Sequence, residues 1–259
     1  MPVDLGQIGE QVSEDQVLGG KLVLRQPLRG HRFGHDAILL AAAVAAQAGE
    51  RAVELGAGVG AAGLALARRV EGLDVTLVER DPALAALAAA NANRNGLSGR
   101  VRAVDLDVTA PAAAFTAAGL LPGSADHVLM NPPFNPAQNP SPDRDRRAAY
   151  VASDQTLVQW LGTARRLLRP GGAVTLIWRA DGLGDVLAAL SDGFGAITVL
   201  PIHGKVGGPA IRILAQATRD RNGPLALLAG LVLTDADGKP TVAAETILRD
   251  GKGLSLTQS

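Results

Sequence analysis

The chain has 259 residues, 47% hydrophobic and 19% charged, which supplies apolar material for one large α/β core or two small ones and excludes a disordered or low-complexity protein. Lys plus Arg number 25 and Asp plus Glu number 25, so a general attraction for polyanions is excluded and any such partner must meet a local patch. Cysteine is absent, which removes disulfide frameworks, thiol catalysis and cysteine-ligated zinc and makes a reducing cytoplasm the expected compartment.

The first fifteen residues carry Asp4, Glu10, Glu14 and Asp15 and no basic side chain, the reverse of a secretory or transit peptide. The most apolar stretches, 37–46 and 225–233, fall short of the roughly 18 residues a membrane span needs, so no membrane partner is expected. Residues 17–25 read as a hairpin through Gly19-Gly20 that leads into a helix over 36–48. From residue 51, short apolar runs alternate with Ala- and Leu-rich ones. Strands are predicted at 51–55, 74–78, 101–104, 127–130 and 173–178, helices at 63–70, 82–95, 154–168 and 185–190, and two further strands at 197–202 and 211–217. Pro82 in a first helical turn and Gly96 beyond its end punctuate the helix at 82–95. Continuous apolar strands separated by helices predict a mostly parallel sheet with helices on both faces. The proline-rich, charged run 131–147 reads as a surface loop, 235–238 as a hairpin turn between strands at 231–233 and 241–242, and 252–259 as a frayed tail. The organisation expected is an N-terminal extension over 1–48, an α/β domain over 49–250 and a tail over 251–259.

Val53-Glu54-Leu55-Gly56-Ala57-Gly58-Val59-Gly60 falls where a strand hands over to a helix, a place where glycines let a ligand approach the backbone and the helix start offers unpaired N–H groups. Gly58-x-Gly60-x-x-Gly63 could be a dinucleotide fingerprint, with Glu79 about 20 residues on. That fingerprint wants its first glycine directly after the strand, which here is Gly56. The alternation Glu54-x-Gly56-x-Gly58-x-Gly60 instead resembles motif I of S-adenosylmethionine-dependent methyltransferases. Glu79 closes the second strand of the domain, where a carboxylate can accept both hydroxyls of a ribose, and Asp81 reads as the N-cap of the next helix. After the third strand, Asp107 stands where methyltransferases contact the adenine of the cofactor, with Asp105 as its rival.

Asn131-Pro132-Pro133-Phe134 follows the fourth strand and resembles motif IV of class I methyltransferases that modify nitrogen in a planar amino or amide group. Such a nitrogen is a poor nucleophile because its lone pair is delocalised. Two acceptors, the Asn131 side-chain oxygen and the Pro132 carbonyl, can hold its two N–H groups. The prolines stiffen the turn, and Phe134 can stack on the planar group. The run from Leu18 to Pro27 and that from Gly30 to Leu40 are similar to the N-terminal region of the bacterial tRNA1(Val) adenine N6-methyltransferase family, and so are stretches around 167–172 and 199–213. The resemblance covers most of residues 15–250. It implies a Rossmann-like class I methyltransferase with a seven-stranded sheet and an N-terminal hairpin and helix. The cofactor implied is S-adenosylmethionine, and Phe33 and Asp36 would line the cofactor from the segment before motif I.

The catalytic residues expected are thus Asn131, Pro132 and Phe134, and the cofactor residues Phe33, Asp36, Glu54, Gly56, Gly58, Gly60, Glu79, Asp107 and Asn131. The leading acceptor is the exocyclic amine of adenine in a tRNA anticodon loop. Guanine N2 in ribosomal RNA and a protein glutamine are alternatives within the class; an NAD-dependent oxidoreductase and a non-catalytic RNA-binding protein are alternatives outside it. No acidic residue lies between Asp15 and Asp36, so Lys21, Arg25, Arg29 and Arg32 are expected to meet RNA, as are Arg144, Arg146 and Arg147 after the Asn-Pro-Pro-Phe run. With four Phe, two Trp and one Tyr, a single splayed base is easier to accommodate than a multi-base stacking platform. Trp160 and Trp178 read as core residues, the four histidines lack metal-ligand spacing, and oligomeric state is not legible.

Overall fold

The computed structural model describes residues 12–28, 32–133 and 144–256, with backbone alone over 144–154. β1 (Val12–Val17) and β2 (Leu22–Pro27) form an antiparallel hairpin whose turn places Leu18, Gly19 and Gly20 all at positive φ. Helix α1 (His35–Ala43) follows and buries Ala37 through Ala43, which is why it shows no polar face.

The main sheet starts at β3 (Arg51–Leu55), continues through α2 (Ala61–Arg69), β4 (Asp74–Glu79), α3 (Pro82–Arg94) and β5 (Val101–Asp105), then through α4 (Ala112–Ala117) to β6 (Ala125–Met130). Helix α5 (Arg144–Leu167) leads into β7 (Leu168–Arg179), and α6 (Leu183–Leu190) into β8 (Phe194–Lys205) and β9 (Ala210–Arg219). The order β8-β9-β7-β6-β3-β4-β5, antiparallel only at β9, is the mostly parallel seven-stranded arrangement expected. Two short strands, β10 (Ala226–Leu227) and β11 (Leu231–Thr234), run parallel to β8 on its other side and bring the sheet to nine. The strands are apolar throughout because both sheet faces are covered. One core joins the hairpin, α1, α2 and the C-terminal segment, and the other joins α4, α5 and α6.

Asn91 on α3 and Asn95 at its C-cap, one turn apart, stand in for a strand beside β2. Asn95 accepts from Val23 N (2.9 Å) and donates to Val23 O (2.7 Å); Asn91 does the same with Arg25 N (2.8 Å) and Arg25 O (2.9 Å). Asn91 also donates to Val59 O in the glycine loop at 3.0 Å.

Four expectations are corrected. Residues 144–147 belong to the first turns of α5 rather than to a loop. Thr241 does not open a strand: its hydroxyl accepts from Ala244 N at 3.1 Å and caps α7 (Val242–Leu248). The helix expected to run to residue 48 ends at Ala43. The segment 252–256 is docked rather than frayed, since Leu254 N donates to Ala42 O at 2.8 Å and Leu256 is buried.

Candidate active site

Strands β6, β3, β4 and β5 lie side by side and parallel, so their C-terminal ends share one sheet edge, and the strand order turns back between β3 and β6. A crevice outside the strand ends at such a switch point is where open α/β sheets bind ligands. Gly56, Gly58 and Gly60 carry the chain from β3 to α2 at φ of +69°, +55° and +84°. The N–H groups of Gly56 and Ala57 both donate to Val78 O at 2.9 Å, which turns the loop over the end of β4. Glu79 fixes the next step: one oxygen accepts from Gly58 N at 2.7 Å and the other from Asp81 N at 2.9 Å. A side chain at Gly60 would bring Cβ to 2.8 Å from Leu77 Cδ1, whereas the same position at Gly58 has nothing within 4 Å. Gly60 therefore serves packing, and Gly58 leaves an open approach to the loop.

Glu54 is buried beneath this loop, and its Oε2 accepts from Gly63 N at 2.7 Å in the first turn of α2. Burial pushes its carboxyl up to about 8; the Gly63 N–H opposes that rise and the nearby Glu79 charge adds to it. Gly63 must be glycine, because a Cβ there would lie 2.7 Å from Glu54 Oε2. Of the two aspartates at the end of β5 and beyond it, Asp107 closes a turn, accepting from Thr109 N and Thr109 Oγ1 at 2.7 Å each. The Thr109 hydroxyl and amide hold the Asp107 carboxyl below the usual carboxylate range. Asp105 is the exposed last residue of β5, in register with Glu79.

Met130 pairs with Leu55, which puts Asn131 next to Gly56 at the switch point. Asn131 Oδ1 is buried and has no hydrogen-bond partner among the described residues, and Pro132 behind it is buried as well. An amide oxygen in that condition costs about 1–3 kcal/mol unless a donor arrives. Phe134, Arg29 and the side chains of Arg144, Arg146 and Arg147 lie outside the described residues.

Phe33 packs half-buried against the core at the entry to α1, with its N–H donating to Gln26 Oε1 at 3.1 Å. Asp36, in the first turn of α1, accepts from Arg212 Nε at 2.8 Å, and Arg212 pairs across the sheet with Arg179 at the C-terminal end of β7. That ion pair therefore stands on the same sheet edge as Asn131. The acid-free run of the sequence is not an unopposed basic patch, because β1 brings acids to it: Arg25 pairs with Glu14 at 3.4 Å and Arg32 with Asp15 at 3.0 Å. The sequence placed Trp160 in the core, where it is buried, and Asn91 in a helix, but gave neither a part in the site. Trp160, on α5, lays its indole against the Gly56 backbone so closely that a side chain there would collide with it, and Asn91 ties the same loop to the hairpin. Neither has a linear signal, since both act across more than 30 residues of chain. Thr163, one turn beyond Trp160, donates to Val108 O at 2.9 Å, so α5 braces both the β3–α2 and the β5–α4 loops.

The sequence model of the methyltransferase small domain matches residues 32–205. A tRNA1(Val) (adenine(37)-N6)-methyltransferase of Porphyromonas gingivalis is 30% identical over 161 residues, 60% of this chain and 61% of its own length, so the chain spans about three fifths of that relative. An enzyme of the same description from Bacteroides thetaiotaomicron is 27% identical over 194 residues, 74% of this chain and 78% of its own. Among solved structures, the predicted O-methyltransferase Atu636 of Agrobacterium tumefaciens is 30% identical with a TM-score of 0.73, covering 85% of this chain and 98% of its own. TrmN of Thermus thermophilus shares the fold at a TM-score of 0.50 and 22% identity, over 71% of this chain and 47% of its own.

Proposed function

The chain belongs to the methyltransferase small domain family, and from that premise we propose that it transfers a methyl group from S-adenosylmethionine to the exocyclic amine of adenine in tRNA, with the anticodon loop as the leading target. One observation carries the nitrogen acceptor: the Asn131 amide oxygen, held buried beside the glycine loop and without a donor among the described residues. The residues present fit the cofactor. Gly58 leaves its approach open, and each Glu79 oxygen that accepts one backbone N–H keeps further acceptor capacity for a ribose hydroxyl. Asp107 or Asp105 would hold the adenine, and Phe33 and Asp36 would close the site from the α1 side.

When bound, S-adenosylmethionine supplies a methyl group on a positively charged sulfur, already activated for transfer. The work left to the chain is alignment. Asn131 Oδ1 and the Pro132 carbonyl accept the two amine N–H groups, turn the nitrogen lone pair toward the methyl carbon and take up the positive charge that develops on nitrogen. The cofactor would supply the methyl group and its sulfur would take the bonding electrons, while the chain would hold the amine through Asn131 and Pro132 and leave its surplus proton free to pass to solvent. Two acceptors suit an amine, which has two protons to hold. A hydroxyl acceptor, as in the O-methyl transfer named for Atu636, has one and wants a base. Phe134 would stack on the base. The tRNA relatives support adenine over guanine or glutamine.

Transfer of labelled methyl to separate pools of unmodified tRNA, ribosomal RNA and protein, read by nucleoside mass spectrometry, tests the reading. N6-methyladenosine in tRNA is expected, and label confined to another pool refutes the target. Asn131→Ala should lower kcat on the labelled pool at least about 100-fold while leaving cofactor affinity, measured by calorimetry, little changed. Turnover at the wild-type rate would refute the role given to the amide.

A further inference from the structure

A cleft of about 490 Å³ opens away from the active site, between the hairpin turn, the C-terminal end of α2 and the turn after α7, lined by Leu18, Lys21, Arg68, Arg69, Asp250 and Gly251. Three basic residues from two separate elements line it beside one acidic residue. Each cation is positioned by backbone. Lys21 Nζ donates to Asp250 O at 2.8 Å, Arg68 Nη2 to Asn95 O at 2.6 Å, and Arg69 Nη2 to Ala41 O at 2.9 Å and Val44 O at 2.5 Å. None of the three forms an ion pair among the described residues, and Arg69 Nε is buried without a partner. The volume falls in the range of small-molecule pockets, and two guanidinium groups with an ammonium nearby suit an oxyanion such as phosphate.

We propose that this cleft binds a phosphate group through Lys21, Arg68 and Arg69. The source of that phosphate is the backbone of the RNA substrate or a free phosphate compound; the first rests on the function proposed above, the second does not. Helix α2 connects the two places, with its start in the glycine loop and its last turn in the cleft, so they are separated by at least the roughly 13 Å of a nine-residue helix. A contact at that remove from the acceptor amine suits a folded RNA and lies beyond the reach of the target base itself. It also places the basic surface away from Arg25 and Arg32, whose charges β1 already answers.

The test uses the full chain and its variants Lys21→Ala, Arg68→Ala and the double substitution; Arg69 is left intact because it also caps α1. Thermal unfolding is followed with sodium pyrophosphate at constant ionic strength, and affinity for unmodified tRNA by fluorescence anisotropy between 50 and 200 mM salt, on the order of the range where phosphate contacts show themselves. Binding of S-adenosylhomocysteine by each variant reports that the fold is kept. Wild type should be stabilised by pyrophosphate and the double variant should not. The double variant should also lose about tenfold in tRNA affinity, with a salt slope shallower by about 1–2. Loss of the pyrophosphate response with tRNA affinity and slope unchanged would assign the cleft to a free phosphate compound. If wild type does not respond to pyrophosphate, or the double variant responds equally, the proposal is overturned. A chain that methylates no RNA would refute the function proposed above, yet the pyrophosphate result would still be decided.

Discussion

Glu54 holds the start of α2 to β3 through a buried hydrogen bond to Gly63 N, and its protonation is tied to folding. Its carboxyl titrates near 8 in the folded chain against about 4.5 when exposed, so between those values the folded state keeps a proton that the unfolded state gives up. Stability from this group is complete below the unfolded value and is lost as pH rises through the folded one. We predict that the melting temperature of the ligand-free protein falls between pH 5 and pH 8.5, each kcal/mol showing as roughly 2–4 °C at this size, and that Glu54→Gln flattens the fall because the amide can still accept from Gly63. An unchanged pH profile in the variant would remove Glu54 as the cause. The residue was legible as the first letter of the alternating glycine motif; its burial and proton were not, because they arise from Leu77, Gly63 and Glu79 closing around it in space.

At the level of elements, the glycine loop has two props that come from elsewhere in the chain. Helix α5 presses Trp160 on Gly56, and α3 reaches Val59 through Asn91. Trp178 is fully buried in β7, so any change in indole emission on binding S-adenosylhomocysteine should come from Trp160. We expect a response in wild type and Trp178→Phe and none in Trp160→Phe. A response that survives Trp160→Phe would place the reporter elsewhere. Asn91→Ala should cost about 2–4 kcal/mol, since Arg25 N, Arg25 O and Val59 O all lose their partner, and the hairpin should become the first site of proteolytic cleavage. Strand and helix identity in this region followed from apolar periodicity and from Pro82 and Gly96, which are local signals. The first turns of α5 did not, because Arg144–Arg147 follow five closely spaced prolines, nor did α7, because Thr241-Val242 has the β-branched look of a strand while its hydroxyl acts as a helix cap. Asn91 and Asn95 read simply as helix residues; that they complete a sheet edge depends on a hairpin some 70 residues earlier in the chain.

Over the whole molecule, equal numbers of acids and bases left only local charge to argue from, and local charge in sequence is not local charge in space. Lys21, Arg25 and Arg32 look alike in the linear run, yet Glu14 and Asp15 from the neighbouring strand answer the second and third, while Lys21 turns to a backbone carbonyl across the molecule. The parallel sheet itself was visible, as was the placing of the glycines, Glu79 and Asn131 at strand ends, since each sits where an apolar run stops. Of the two additional strands, β11 was visible as the apolar run 231–233, whereas β10, only two residues long, was not. Their brevity conceals what they do. β8 is twelve residues long, and without β10 and β11 its outer row of N–H and C=O groups would stand open as a template for another chain. A chain ended after Asp220 keeps every residue assigned above to catalysis and to the cofactor. We predict that it nonetheless associates edge to edge and precipitates at concentrations where the full chain stays dispersed, as light scattering would record; a dispersed truncated chain would refute this. On that account β10 and β11 guard the molecule against copies of itself.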